Sequence, residues 1–291
     1  MNVLSLFDGI GCAYVALKKA GIHIDNYFAS EIDKKATAIA QKNNPNAIQL
    51  GDVRKMVIPS EIDLLIGGSP CQNLSVAINP EYRVGLKGTK SSLFFEYARI
   101  LKRVNPKWFL LENVAMMPVP DREIITEVLG VQPIMISSCT VSAQKRVRYY
   151  WTNIVPKSFI IKRTDKGKEV LGDVLTACKK SDIVDCPYIS LPRGSYQLVI
   201  SGRRRYVKVV NRPDRKSPAL IAHHGTCGVE GLKVLWNGKV RRINAIEAER
   251  LQGLPDNYTL CDGITENKRI ALCGNGFQVD VVAGILSQIK E

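Results

Sequence analysis

Cys71 stands in the run Gly67-Gly68-Ser69-Pro70-Cys71-Gln72, directly behind the mostly apolar residues 62–66. A buried strand that ends in two glycines and a proline turns sharply and lifts a thiol to the carboxyl edge of a sheet, where open α/β sheets keep their sites. A thiolate held there is a nucleophile. A buried structural cysteine fits the same stretch, since cysteine is among the most buried residue types. Carboxylates recur at similar positions: Asp8, Glu31, Asp52 and Glu112 each follow or close an apolar run. Glu31 lies 20 residues beyond Gly11, the spacing at which an acidic side chain accepts hydrogen bonds from a ribose diol. The loop Phe7-Asp8-Gly9-Ile10-Gly11 has two glycines but carries Tyr14 where a pyrophosphate-binding loop has its third. Glycines with carboxylates and no Lys or Arg suit a ribose and an adenine better than a phosphate; solvated loop carboxylates are the plain alternative. Arg146 and Arg148 sit two apart on a strand-like run and offer paired guanidinium donors, or a basic strand face touching phosphate.

The elements that must position these groups alternate. Strands are expected at 3–7, 27–30, 47–50, 62–66 and 108–111, with helices at 13–20, 34–42, 93–101 and 121–129 between them. Asp33 and Asp121 are read as N-caps, and Gly21 as the residue that ends the first helix. Further strands are expected over 133–138 and 146–154, and helices over 170–180, 242–252 and 279–289. This is the pattern of an α/β fold with helices on both faces of a mostly parallel sheet. The polar stretch 75–90 is long enough to move and to wall a closed site.

The 291 residues leave room for one large domain and a smaller one. No run of 18 apolar residues is present, so no membrane span is expected. The start lacks the basic n-region of a signal peptide. The eight cysteines form no C-x-x-C pair, which reads as reduced thiols. His223, His224 and Cys227 have no further cluster in reach, so no metal site is expected. The net charge of +14 is uneven: residues 151–250 hold 20 Lys and Arg against 9 Asp and Glu. That surplus points to a polyanion partner, most simply nucleic acid, with a solvated basic surface as the alternative.

Taken in order, Phe7-Asp8-Gly9-Ile10-Gly11, Glu31, Gly51-Asp52-Val53, Pro70-Cys71-Gln72, Glu112-Asn113-Val114, Gln144-Lys145-Arg146-Val147-Arg148, the run 241–255 and Gly274-Asn275-Gly276-Phe277 resemble the motifs of the DNA cytosine-5 methyltransferase family. The wording around residues 4–10, 93–96 and 148–151 is similar to the de novo type of that family, without its regulatory domains. Cys12 stands where many members have a second consecutive glycine, and Ile32 where many bacterial members have an aromatic residue.

The resemblance implies a Rossmann-like, S-adenosylmethionine-dependent sheet with a small basic target-recognition domain. It divides the chain into a catalytic and cofactor-binding domain at 1–155, a target-recognition region at 156–240, and a return segment at 241–291 whose last helix packs on the catalytic domain. It implies methyl transfer to C5 of a flipped-out cytosine through a covalent adduct between Cys71 and C6, with Glu112, Arg146 and Arg148 as the other catalytic residues. Cofactor contacts are expected from Phe7, Asp8, Gly9, Ile10, Gly11, Glu31, Ile32, Asp52, Val53, Pro70, Leu93 and Asn275. DNA contacts are expected from Gln72, Ser75, Arg203, Arg204, Arg205, Lys208 and Arg212. Double-stranded DNA is the expected partner, in the cytoplasm if the source is prokaryotic or a virus of bacteria; no oligomeric state is implied. A catalytically silent DNA-binding homologue and a transfer-RNA cytosine-5 methyltransferase remain as alternatives.

Overall fold

The computed structural model describes residues 1–75, 81, 83–176, 188–191, 195–200, 203–210, 214–220, 232–236 and 239–290, with backbone alone for 188–210 and 235–240. In chain order the first part runs β1 (Asn2–Leu6), α1 (Cys12–Lys19), β2 (Asn26–Ser30), α2 (Lys34–Asn43), β3 (Ile48–Gln49), β4 (Leu64–Gly68), α3 (Phe94–Val104), β5 (Trp108–Val114), α4 (Val119–Leu129) and β6 (Ile134–Ser137). Then come β7 (Gln144–Lys145), β8 (Val147–Thr152), α5 (Leu171–Val174), β9 (Tyr188–Leu191), β10 (Ser195–Ile200), β11 (Arg203–Val210) and β12 (Ser217–Pro218). The chain closes with β13 (Lys233–Trp236), β14 (Lys239–Arg242), α6 (Ala245–Gln252), α7 (Glu266–Asn275) and α8 (Val279–Leu286).

The chain forms two compact units. The first, Met1–Ser137 with Val147–Ile161 and Val279–Glu291, holds a seven-stranded sheet in the order β3-β2-β1-β4-β5-β8-β6. Strands β1 to β5 are parallel, and β8 runs antiparallel to both β5 and β6. Strand order reverses between β1 and β4, which sets a crevice at their carboxyl ends. Leu4, Leu6, Leu65 and Leu111 are fully buried, each side chain contributing about 1.5–3 kcal/mol by leaving water. Helix α3 buries Phe94, Tyr97 and Ile100, one face at helical spacing. The Tyr97 ring lies so close to Gly67 that a Cβ there would stand 3.1 Å from it. Helix α8 packs on α1 in this unit, with Lys19 Nζ 2.8 Å from Asp280.

The second unit, Ser138–Arg146 with Lys162–Gln278, holds a five-stranded sheet in the order β14-β13-β11-β10-β9 and a parallel pair of β7 with β12. The divisions expected at 155 and 240 therefore fall inside these units: 138–146 and 241–278 both cluster with the second.

Three local expectations need correction. Residues 241 and 242 end strand β14, and the helix starts only after Asn244, whose side chain accepts from Glu247 N while Glu247 caps Asn244 N in return. Asp121 is not a cap: α4 begins behind Pro118, and the Asp121 carboxylate accepts from Leu86 N at 2.9 Å. The helix expected over 170–180 is the single turn α5, with 177–180 outside the described residues. Asp33 does cap α2, accepting from Lys35 N and Ala36 N.

The stretch Glu266–Leu286 is long and apolar enough to cross a membrane by composition, but it is two helices broken at 276–278, and 72% of its most apolar window is buried inside the protein.

Candidate active site

The loop after β1 turns on three residues with positive φ: Phe7 at 57°, Gly9 at 60° and Gly11 at 79°. Gly11 caps α1 in the left-handed conformation, which glycine adopts without a Cβ penalty. Glu31, just past β2, braces the loop: one carboxylate oxygen accepts from Gly9 N at 2.9 Å, the other from Ile32 N and Asp33 N at 2.8 Å each. The Asp8 carboxyl turns inward beneath the loop, accepting from Ser5 Oγ at 2.6 Å and Tyr27 OH at 2.5 Å. Burial pushes its pKa up to about 6; the two hydroxyls offset part of that rise and the nearby Glu31 charge adds to it. Asp52 stands at the end of the next strand and takes three hydrogen bonds from Arg54, which hold it down to about 2.

The expected cofactor residues of this unit thus divide. Asp8 and Ile10 are buried within the loop, Val53 is buried in the hydrophobic core, and Ile32 is 68% exposed beside Glu31. Pro70 and Leu93 are half-buried, Leu93 closing a 3-10 turn and packing on the core.

Cys71 is half-buried three residues past the end of β4. Its carbonyl accepts from Leu74 N and Ser75 N at 2.9 Å each, closing the turn behind the thiol. The turn is fixed from the neighbouring strand: Asn113, 1% exposed, donates through Nδ2 to Ser69 O at 3.2 Å and Ser69 Oγ at 3.0 Å. Parallel register pairs Gly68 with Glu112, which sets Glu112 beside the base of the Cys71 turn. Arg148 arrives on β8, where Val114 pairs with Arg148 and Glu112 with Tyr150. Arg148 Nε lies 3.0 Å from Glu112 Oε1, both side chains being mostly buried. The contact has ion-pair distance without hydrogen-bond alignment, so Glu112 Oε1 is a buried acceptor with no hydrogen-bond donor. Arg148 Nη1 donates to Val147 O at 2.8 Å. Gln72 is exposed and Ser75 half-buried.

Arg146 is placed differently from Arg148. It belongs to the second unit, 4% exposed, with its guanidinium donating to Leu220 O at 2.8 Å and to Gly274 O and Gly276 O at 3.1 Å each. The sequence reading missed this role, and that of Gln144, whose amide bonds Leu251 O and Leu220 N at 2.9 Å each. It also missed two ion pairs on α6, Arg241 with Glu247 and Arg269 with Glu249. Asn275 ends α7 in the second unit. Arg203, Arg204, Arg205 and Lys208 lie on β11, paired antiparallel with β10; Arg212, His223, His224 and Cys227 lie outside the described residues. No group of His, Cys, Asp and Glu able to hold a metal occurs among the described residues.

A hollow of about 390 Å³ lined by Tyr14, Lys18, His23, Tyr27 and Asn44 opens at the amino end of β2, and none of Cys71, Glu112 and Arg148 lines it.

The sequence profile described as C-5 cytosine-specific DNA methylase matches residues 1–131 and 140–291. The type II methyltransferase M.NgoPII of Neisseria gonorrhoeae is 28% identical over 345 residues, covering 100% of this chain and 96% of that protein. The orphan methyltransferase M.Rho11sI of Bacillus phage rho11s is 43% identical over 119 residues, 39% of this chain, and the match spans only 23% of the phage protein. Among solved structures, the Entamoeba histolytica methyltransferase EhMeth superposes with a TM-score of 0.74 at 19% identity, covering 99% of this chain and 97% of that one. At that identity the likeness speaks for the fold alone.

Proposed function

The chain belongs to the C-5 cytosine-specific DNA methylase family, and from that premise we propose that it transfers a methyl group from S-adenosylmethionine to C5 of a cytosine in duplex DNA, with Cys71 as nucleophile. The observation that carries the reading is Glu112: a buried carboxylate oxygen without a hydrogen-bond donor, beside the thiol turn and 3.0 Å from Arg148.

The residues around the glycine loop fit the cofactor. The loop carries no Lys or Arg, Glu31 keeps one lone pair, on the oxygen that accepts from Gly9 N, beyond the three N–H groups it accepts, and the exposed Ile32 offers an apolar face. Glu31 would take a ribose hydroxyl and Ile32 the adenine. When bound, S-adenosylmethionine supplies an electrophilic methyl carbon on a positively charged sulfur.

Cytosine C5 is a poor nucleophile until a thiolate adds at the neighbouring C6. The Cys71 thiolate adds at C6, and the electrons of the C5–C6 double bond move onto C5, which would take the methyl carbon as its bond to the positively charged sulfur breaks and leaves a neutral thioether. Loss of the C5 proton to a base and expulsion of the thiolate then restore the double bond. Glu112 is the group assigned to the ring N3 edge, where charge develops, and Arg148 supplies donors for O2. Arg146, committed to three carbonyls, is assigned a positioning role rather than contact with the base. The face of a stacked base is closed to a thiol, so the target must leave the duplex. The basic β11 with Arg203, Arg204, Arg205 and Lys208, together with Arg212, Gln72 and Ser75, is the proposed DNA contact.

The test is radiolabelled methyl transfer to duplex DNA and to transfer RNA by the wild type and by Cys71→Ser. Transfer to DNA that vanishes in the variant is expected; full activity in Cys71→Ser overturns the mechanism.

A further inference from the structure

Residues 72–75 and 83–91 are tied together by one residue, Asn73, that no part of the proposed chemistry uses. Asn73 bonds the second of these stretches, the far foot, through all of its polar backbone and its side-chain oxygen. Its N–H donates to Ser91 Oγ at 3.1 Å, its carbonyl accepts from Gly85 N at 3.1 Å, and its Oδ1 accepts from Ser91 N at 3.4 Å. Ser91 is completely buried. A Cβ at Gly88 would collide with the Asn73 side chain, so only glycine lets the two segments close to this distance. The far foot is fixed in turn: Leu86 N donates to Asp121, and Arg83 donates to Leu74 O at 3.3 Å and Met116 O at 2.6 Å.

We propose that Asn73 is a positioning residue for the reaction: it clamps the turn that carries Cys71 to the Gly85–Ser91 foot and so fixes where the sulfur points. The physical argument is one of local stability. The turn behind Cys71 closes on itself through two backbone bonds, Leu74 N and Ser75 N to Cys71 O. Two bonds on a half-exposed loop open readily, whereas a buried hydroxyl and a packed glycine on the next segment do not. Without the clamp the thiol becomes easier to reach from solvent and harder to hold against a ring face; misplacement by about an ångström is enough to cost roughly a hundredfold in rate. The inference rests on the reading of Cys71 as nucleophile, and its test separates the two.

Full-length protein is labelled with iodoacetamide, which needs no substrate, and the rate at Cys71 is followed by peptide mass spectrometry. The buried Cys12 serves as an internal control. In parallel, adduct formation is timed on duplex DNA carrying 5-fluorocytosine in the presence of S-adenosylmethionine. In Asn73→Ala, labelling of Cys71 is expected to rise about fivefold with Cys12 unchanged, while adduct formation falls about tenfold or more. Asn73→Asp keeps the acceptor for Ser91 N and is expected to restore both rates to within about twofold of wild type. Equal labelling and equal adduct rates in wild type and Asn73→Ala overturn the proposal. Should Cys12 also become labelled in Asn73→Ala, that variant has unfolded, and Ser91→Ala, which removes only the hydroxyl acceptor, decides by the same two rates. A wild type that forms no adduct at all overturns the nucleophile reading, while the labelling rates still decide on the clamp.

Discussion

Asp8→Asn offers a sharp measure of how the glycine loop is held. The carboxyl is 7% exposed and its pKa rises from 3.8 to about 6, chiefly because burial disfavours its charge. A carboxyl whose folded pKa lies above its unfolded one destabilises the fold in its charged form. The cost is absent well below pH 3.8, grows through the window up to about 6, and is complete above it. At 1.36 kcal/mol per pH unit the full cost is roughly 3 kcal/mol, of which about 1.4 kcal/mol accumulates between pH 5 and 7.5. In Asp8→Asn the amide oxygen still accepts from Ser5 Oγ and Tyr27 OH, and nothing titrates. The new amide N–H group adds a constant offset if it finds no acceptor, about 1–3 kcal/mol, but no pH dependence. The assay is urea unfolding of both proteins at pH 5.0 and 7.5. The stability of Asp8→Asn relative to wild type should improve by about 1.4 kcal/mol over that interval. A difference that does not change with pH would refute the claim that a charge is being held out of water beneath the loop.

Other perturbations follow from the buried contacts. Arg241→Met strands the fully buried Glu247 and should lower unfolding stability by about 3–5 kcal/mol, whereas Arg241→Met with Glu247→Leu should lose less than the single change. Arg146→Lys loses the planar fork that spreads the three bonds over two nitrogens; calorimetry should show a loss of about 2–3 kcal/mol. Asn113→Ala frees the Ser69 turn, at about 1–3 kcal/mol by urea titration, and should slow adduct formation on 5-fluorocytosine DNA more than it weakens DNA binding.

The parallel core was legible because its strands are short apolar runs closed by glycine or an acidic residue, as at 62–68 and 108–112, and its helices show one apolar face, as at 94–100. The paired fates of Arg146 and Arg148 were not legible. Two arginines at strand spacing look equivalent in sequence, yet the chain passes from one unit to the other between them. Nothing local signals that one guanidinium meets carbonyls 74 to 130 residues away. The start of α6 was readable, since Asn244 and Glu247 have the spacing of a capping box; the neighbouring Arg242 lent itself to a helix instead. Asp121 misled for the opposite reason. An acidic residue near a helix start usually caps it, but here a proline sets the entry and the carboxylate serves a distant backbone N–H.

The pairing of α1 with α8 has a consequence for biosynthesis. Helix α1 cannot gain its α8 partner until a segment 261 residues downstream has been made, as the Lys19–Asp280 contact records. The second unit's segments are all translated before that happens. Completion of the first unit therefore waits on residue 279 and has a long loop to close, and a nascent chain stalled short of that residue would lack the α8 cover of α1, a natural substrate for chaperones.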